Sequence, residues 1–434
     1  MNCLGLYIHV PFCAKKCPYC DFFSTPYSRA NAETYLNAVT RNIKFYGDGS
    51  AVDTVYFGGG TPSLLTPEQI GTIMSQLRNC FTLADDTEIT IEVNPSTADE
   101  KRLLGYKKAG ISRLSFGVQS MNENELRFLG RLHSPERAEK AVLDAKNAGF
   151  ENISCDLMIG LPNQSENDIK NSVEALSKLP ITHISSYILK IEKGTPFYSS
   201  GVENMLPDDD RISDLYLKMC RYIEDCGFMQ YEISNFAKAN FQSRHNCRYW
   251  KCEDYLGIGP AAHSCYKGKR FAVLPDLSDF IATPHQNIEI TEENPYSFEE
   301  RAMLKLRLSE GLPLIECGEK QKDIRILEIE QQSQRKHDRQ RTNQLFRFRL
   351  AGLFHPFNHI EIHHTRTNQH KQEIGCAKGI KSQGEKQQGV VAETLWRNEI
   401  SQQEYRQEKQ KEYVAAKNHD VFVIVFRFLL CGSC

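Results

Sequence analysis

Three cysteines fall within eight residues near the start of the chain, Cys13-Ala-Lys-Lys-Cys17-Pro-Tyr-Cys20, a C-x3-C-x2-C spacing followed by Asp21-Phe22 and no fourth cysteine. Thiolate sulfur is a soft donor suited to zinc, copper(I) or an iron–sulfur cluster. A closed structural zinc site takes four ligands. A cubane cluster held by three thiolates instead leaves one iron open to an outside ligand, and three becomes the required number. Two readings stand at this point: a cluster with an open iron, or a zinc knuckle completed by His9. Inert thiols in a cysteine-rich chain are the plainest alternative.

Other residues have types that could serve a ligand. Gly58-Gly59-Gly60-Thr61-Pro62 lets backbone approach a ligand without a Cβ in the way, although tight turns use the same residues. Glu92 in ITIEVNP, Gln119 in LSFGVQS, Arg131 in FLGRLHS and Asp156 in SCDLMIGLP recur at or near the ends of strand-like runs. Carboxylates buried there need partners, which sugar hydroxyls or an ammonium group would supply; helix capping, or a surface charge for Arg131, is the alternative. Farther on, Arg244-His245-Asn246-Cys247-Arg248-Tyr249-Trp250 combines an imidazole, a common metal-ligating group, with flat aromatic surface. A histidine held by hydrogen bonds with its aromatics in the core is the alternative, and Cys247 and Cys252 are rival ligands.

The elements that must position these residues follow from periodicity. Strands are predicted at 4–10, 54–57, 88–93, 113–118, 153–159 and 183–189, with helices at 30–46, 67–80, 98–109, 122–148 and 165–179. Thr66-Pro67-Glu68 and Ser165-Glu166-Asn167-Asp168 are helix starts. Strand–helix alternation predicts an α/β fold with a parallel sheet, closing into a barrel or part-barrel with its chemistry at the C-terminal ends of the strands. Further helices are expected at 208–226 and 297–309, separated by a cysteine- and aromatic-rich stretch (227–265) in which 257–264 reads as a tight turn. The expected organisation is a barrel domain (1–200), an accessory helical and loop region (201–315) and an atypical tail (316–434).

The tail stands apart in composition. Of 53 Lys+Arg and 55 Asp+Glu in the chain, residues 1–316 hold 33 and 41, a net of −8, while residues 317–434 hold 20 and 14, a net of +6. The tail also carries seven of the 13 histidines and 15 glutamines. Disorder or a departure from the ancestral reading frame is the expectation, rather than a basic arm for nucleic acid, and HIEIHH (359–364) is a poor metal site. The apolar run VFVIVFRFLL carries Arg427 and is too short to span a bilayer, so no transmembrane segment is expected. No secretory signal is read at the start, and 15 cysteines then argue for reduced thiols in the cytoplasm.

With these residues on the page, the chain resembles the radical S-adenosylmethionine (SAM) superfamily, whose C-x3-C-x2-C signature has an aromatic beside the last cysteine, here Tyr19. YIHVPFCAKKCPYCDFFS, YFGGGTPSLL, IEVNP, LSFGVQS, DLMIGLP and HNCRYW resemble its coproporphyrinogen III oxidase-like branch, over residues 1 to 315. The resemblance implies a partial (β/α)6 barrel and a 4Fe-4S cluster on Cys13, Cys17 and Cys20. SAM would chelate the open iron, and the reduced cluster would cleave its S–C bond to a 5′-deoxyadenosyl radical. Tyr7, Gly59, Gly60, Thr61, Glu92, Gln119, Arg131 and Asp156 would surround SAM, with the glycines at its amino group and Arg131 at its carboxylate. Decarboxylating members read C-x3-C-x2-C-x-C, whereas this chain has Phe22, as the heme chaperones of the branch do. The implied function is therefore heme binding and transfer to acceptor proteins, with His245 as heme ligand, an electron donor for the cluster and no assigned catalytic residue. The alternative is an oxygen-independent coproporphyrinogen III dehydrogenase, converting propionates to vinyl groups by hydrogen-atom abstraction. The branch's small helical, winged-helix-like C-terminal domain has no counterpart here after Cys317.

Overall fold

The computed structural model describes residues 3–313 and Glu316, so the expectations for the tail, including HIEIHH and VFVIVFRFLL, lie outside the described residues. Six strands form where the alternation requires them: β1 Leu4–Val10, β2 Ala51–Gly59, β3 Thr82–Val93, β4 Arg113–Gln119, β5 Asn152–Ile159 and β6 His183–Ile188. They lie side by side in chain order and all parallel. Between them run α1 Arg29–Tyr46, α2 Pro67–Cys80, α3 Glu100–Ala109, α4 Glu123–Phe128, α5 Pro135–Asn147 and α6 Glu166–Ser177. Both helix starts named above are capping boxes, Thr66 with Gln69 and Ser165 with Asp168, each satisfying two otherwise orphaned donors.

The strands have two chemically distinct faces, because successive side chains alternate across a sheet. Leu6, Ile8, Val55, Phe57, Ile91, Leu114, Phe116, Ile153 and Cys155 are fully buried and supply the apolar layer that parallel sheets share with their helices. The residues between them are polar and bond to one another across the other face: Tyr56 to Glu92 (3.0 Å), Ser115 to Asp156 (3.3 Å) and Ser154 to His183 (2.7 Å). The result is a partial barrel with an apolar outer shell and a polar lumen.

The expected helix over 122–148 is two helices. Gly130 adopts φ 68°, a left-handed conformation suited to glycine. Ser134 then caps a new helix that begins with Pro135. This break carries Arg131.

Beyond β6 come α7 Pro196–Ser200, α8 Asp209–Asp225, β7 Met229–Glu232, β8 Asn235–Ala237 and α9 Arg244–Trp250. Then follow β9 Tyr255–Ile258, β10 His263–Tyr266, β11 Lys269–Val273, α10 Leu277–Ala282, β12 Ile288–Glu293 and α11 Phe298–Lys305. The sheet runs β12-β11-β10-β9-β1-β2-β3-β4-β5-β6-β8-β7. β9 pairs parallel with β1, a seventh parallel strand where a tight turn was expected. Gly257 permits it, since a Cβ there would stand 2.2 Å from the His263 carbonyl oxygen. The turn itself is confined to the residues after Ile258, with Gly259 at φ 122° and Ala261 at φ 63°. Strands from both sides of residue 200 thus share one sheet. Among the described residues no helix is long and apolar enough to cross a membrane.

Candidate functional site

The cysteine loop leaves the C-terminal end of β1. Phe12–Cys13 pairs with Thr25–Pro26, and the Tyr27 N–H donates to the Cys13 carbonyl at 3.1 Å, so the loop is tied at its base. Its far side is held by later elements. The Phe197 N–H donates to the Pro18 carbonyl at 3.0 Å, and Tyr19 packs on a cluster of Leu129, Met158, Leu161, Leu189, Phe197 and Val202. Cys13, Cys17 and Cys20 are each partly exposed. The Thr61 hydroxyl points to Cys13 Sγ and Arg131 Nη1 to Cys17 Sγ, both at 3.7 Å. Burial first, and then the neighbouring Cys17 and Cys13, push the Cys20 thiol up to about 12.

The donor set fits a cluster better than a single ion. Three soft thiolates on one loop match the donor type and number of a cubane that keeps one iron open. The zinc knuckle has lost its fourth ligand: His9 is buried, with Nδ1 3.1 Å from the Tyr7 hydroxyl and Nε2 3.0 Å from the Phe23 carbonyl. Desolvation lowers its pKa to about 4, so it is neutral.

The glycine run closes β2 beside this loop. A Cβ at Gly59 would meet the His9 ring at 2.6 Å, and one at Gly60 the Phe12 carbonyl oxygen at 2.6 Å. These glycines are therefore required by packing against β1 and its loop, in addition to any ligand. The N–H groups of Gly59, Gly60 and Thr61 are all spent, on Glu92 Oε2 (3.2 Å), the Val10 carbonyl (2.9 Å) and the Phe12 carbonyl (2.7 Å). What the run retains for a ligand is carbonyl oxygen, an acceptor matched to an ammonium group.

Glu92, Gln119, Arg131 and Asp156 come to the same end of the lumen. Glu92 accepts from the Tyr56 hydroxyl and the Gly59 N–H; burial, and then Asp156, hold its pKa well above the ordinary carboxylate value. Burial raises Asp156 to about 6, against hydrogen bonds from Ser185 and Ser115 and the charges of Arg113 and Arg131. Gln119 ends β4 at φ 73°, and its Oε1 is buried without a partner. Arg131 Nε is likewise unpartnered, while Nη2 donates to the Gly117 carbonyl. Orphaned buried polar atoms beside raised carboxylates fit a polar, cationic ligand such as SAM. Tyr7 is buried at the lumen wall, stacked on Tyr56 at 6.2 Å.

His245 lies elsewhere in the lumen. It is fully buried at the N-terminal half of the lumen. Its Nδ1 is 2.9 Å from the Thr54 hydroxyl and its Nε2 2.8 Å from the Tyr249 hydroxyl. Its backbone N–H donates to Glu88 at 3.0 Å, and its ring stacks on Tyr56 at 5.1 Å. Thr54 and Glu88 each precede Gly58 and Glu92 by four residues, about 13 Å down the strand. Burial lowers its pKa well below the usual value, leaving a neutral core histidine with no ring nitrogen to spare. Below α9 lies a cleft of about 810 Å³, whose walls are ion-paired (Arg244–Asp86 and Lys251–Glu310, each 3.3 Å) rather than apolar.

Sequence reasoning missed Arg113, the largest fully buried side chain. The alternation Arg113-x-Ser115-x-Gly117 carried the signal, since it sets the arginine on the same face as residues next to Asp156 and Arg131.

A strand-end thiol loop on a partial parallel barrel defines a radical SAM protein, and residues 7–176 match the radical SAM superfamily model. The chain is 40% identical over 266 residues to the heme chaperone HemW of Escherichia coli K12, spanning 60% of this chain and 69% of that protein. It is 37% identical over 311 residues to HemW of Haemophilus influenzae, spanning 70% and 79%. Among solved structures it is similar to coproporphyrinogen III oxidase (HemN) of Escherichia coli, described as a radical SAM enzyme, at 25% identity and a TM-score of 0.57, covering 64% of this chain and 68% of that one. The chain belongs to the HemW family of radical SAM proteins.

Proposed function

We propose that this protein is a cytoplasmic heme chaperone that carries a 4Fe-4S cluster and SAM and passes heme to acceptor proteins. The observation that carries the reading is its likeness to heme chaperones along more than two thirds of their length. Phe22, two residues after Cys20, supports it against the decarboxylase alternative. Cys13, Cys17 and Cys20 hold the cluster, which when bound and reduced by an electron donor supplies one-electron chemistry at a sulfonium. Arg131 takes the SAM carboxylate. The carbonyls of Gly59 and Gly60, next to Thr61, accept from its ammonium, and Glu92, Asp156 and Gln119 accept from its remaining donors. Tyr7 braces the wall behind them. Residues 1–200 supply this site, and residues 201–315 close the sheet and carry α9.

The test is anaerobic reconstitution of the full chain, followed by heme titration read at the Soret band beside an assay of coproporphyrinogen decarboxylation with SAM. Heme binding without turnover is expected. SAM-dependent decarboxylation overturns the chaperone reading. Replacement of Cys17 by Ala removes the cluster's visible absorption and its iron; retention of both sinks the ligand assignment.

A further inference from the structure

The lumen holds a cation that nothing in the proposed chemistry uses. Arg113 opens β4, is 2% exposed, and its Nε is buried without a partner. Among the described residues its guanidinium makes no side-chain hydrogen bond or ion pair. An unpaired buried charge is costly, and arginine cannot shed its proton to escape the cost. What stands around it explains its retention. Two residues along the same face, Ser115 donates to Asp156 Oδ1 at 3.3 Å. Glu92 lies on the neighbouring strand, in register with Ser115. Below are His183 and His245, both held neutral by burial, so Arg113 is the fixed positive charge beneath two carboxylates.

We propose that Arg113 is a positioning residue for the SAM site, holding Asp156 ionised and hydrogen-bonded toward the mouth of the barrel while the site is empty. The proposal rests on the SAM-site reading above. Two buried carboxylates side by side cannot both ionise without a counter-charge. The groups facing Asp156 are Ser115 and Arg113 from β4, Ser185 from β6, Glu92 from β3 and Arg131 from the α4–α5 break. Those facing Glu92 are the Tyr56 hydroxyl and Gly59 N–H from β2, Asp156 from β5 and Arg113 from β4. Of the two cations near Asp156, Arg131 is engaged with Cys17 and the Gly117 carbonyl, which leaves Arg113 as the charge free to serve the carboxylates. Asp156, raised to about 6 with Arg113 in place, would be raised further without it, and its protonated oxygen would donate where SAM needs an acceptor.

The experiment is SAM affinity by calorimetry between pH 6.5 and 8.5 on the cluster-loaded full chain, for wild type, R113M and R113K. Wild type is expected to gain affinity only gradually with pH, as Glu92, held well above the usual carboxylate range, ionises. R113M is expected to bind about tenfold more weakly at pH 7 and to return to within about twofold at pH 8.5, the size of effect an adjacent opposite charge has on a carboxylate. R113K, which keeps the charge, follows wild type. Adding Asp156→Asn to R113M removes the extra pH dependence relative to wild type and identifies Asp156 as its source. An R113M profile parallel to wild type overturns the proposal, as does an R113K profile displaced to alkaline pH should R113M not fold. A wild type without SAM affinity at any pH sinks the underlying SAM-site reading instead.

Discussion

His245→Ala separates a core anchor from an exposed heme ligand, and its cost can be worked from the structure. The substitution empties the space of a fully buried ring stacked on Tyr56. It also strips partners from two buried hydroxyls, those of Thr54 and Tyr249. Removing a buried ring costs about 3–5 kcal/mol for the larger aromatics, and each lost hydrogen bond adds about 1 kcal/mol. Imidazole is smaller than phenyl, so about 4 kcal/mol is expected, or a fall of about 8–12 °C in the barrel's thermal midpoint. The assay is thermal unfolding of the heme-free protein by far-UV circular dichroism. The pH dependence adds a second measure. The folded pKa of His245 lies well below 6.5, so the unfolded chain takes up the proton first and this group costs stability as pH falls below about 6.5. A His245→Gln variant, which keeps a polar side chain, loses that contribution, and its stability falls less steeply on acidification, by about 1.4 kcal/mol per pH unit. If the heme-free Ala variant melts with wild type while its Soret spectrum changes, the placement of His245 in the core is refuted.

Two glycines respond to alanine with opposite signs: Gly60→Ala, whose Cβ would lie 2.6 Å from backbone oxygen, loses about 1–3 kcal/mol and part of its iron content. Gly71→Ala, open on the α2 surface with nothing within 4 Å, gains about 0.5–1 kcal/mol, both by urea midpoint. SAM binding releases protons near pH 6, because Asp156 is raised to about 6 and Glu92 is held well above the usual carboxylate range in the empty site and a cation reverses both; calorimetry in buffers of different ionisation enthalpy showing no release refutes it. Glu232→Ala leaves Arg307, 3.3 Å away and equally buried, without its partner and costs about 3–5 kcal/mol. Pairing Glu232→Met with Arg307→Met recovers most of it, and Trp250, 4.0 Å under the guanidinium, reports by fluorescence.

The six strand–helix units were legible because each strand alternates and each helix opens on a side-chain cap, features local to a few residues. The cysteine loop and the glycine run were legible for the same reason, being chemistry written contiguously. β9 was not, since four residues of Tyr-Leu-Gly-Ile become a strand only when β1 lies open beside them. The surroundings of His245 were hidden for a related reason. Its neighbours Tyr249 and Trp250 suit a porphyrin face and a barrel floor equally, and its bond to Thr54 joins residues 191 positions apart. Arg113 escaped notice because a strand-initial arginine ordinarily faces solvent, and its burial depends on the closure of the whole lumen.

The tie between Phe197 and Pro18 sets an order of events during synthesis. The cysteine loop leaves the ribosome well before its outer clamp, which is encoded nearly 180 residues later. At about 5–20 residues per second, the three thiols wait on the order of ten to thirty seconds before the clamp exists. β1 waits longer still for β9 to cover its second edge. Metal loading into a formed site is thus a late step, and until then the newborn loop presents three unguarded sulfurs to any thiol-reactive species in its surroundings.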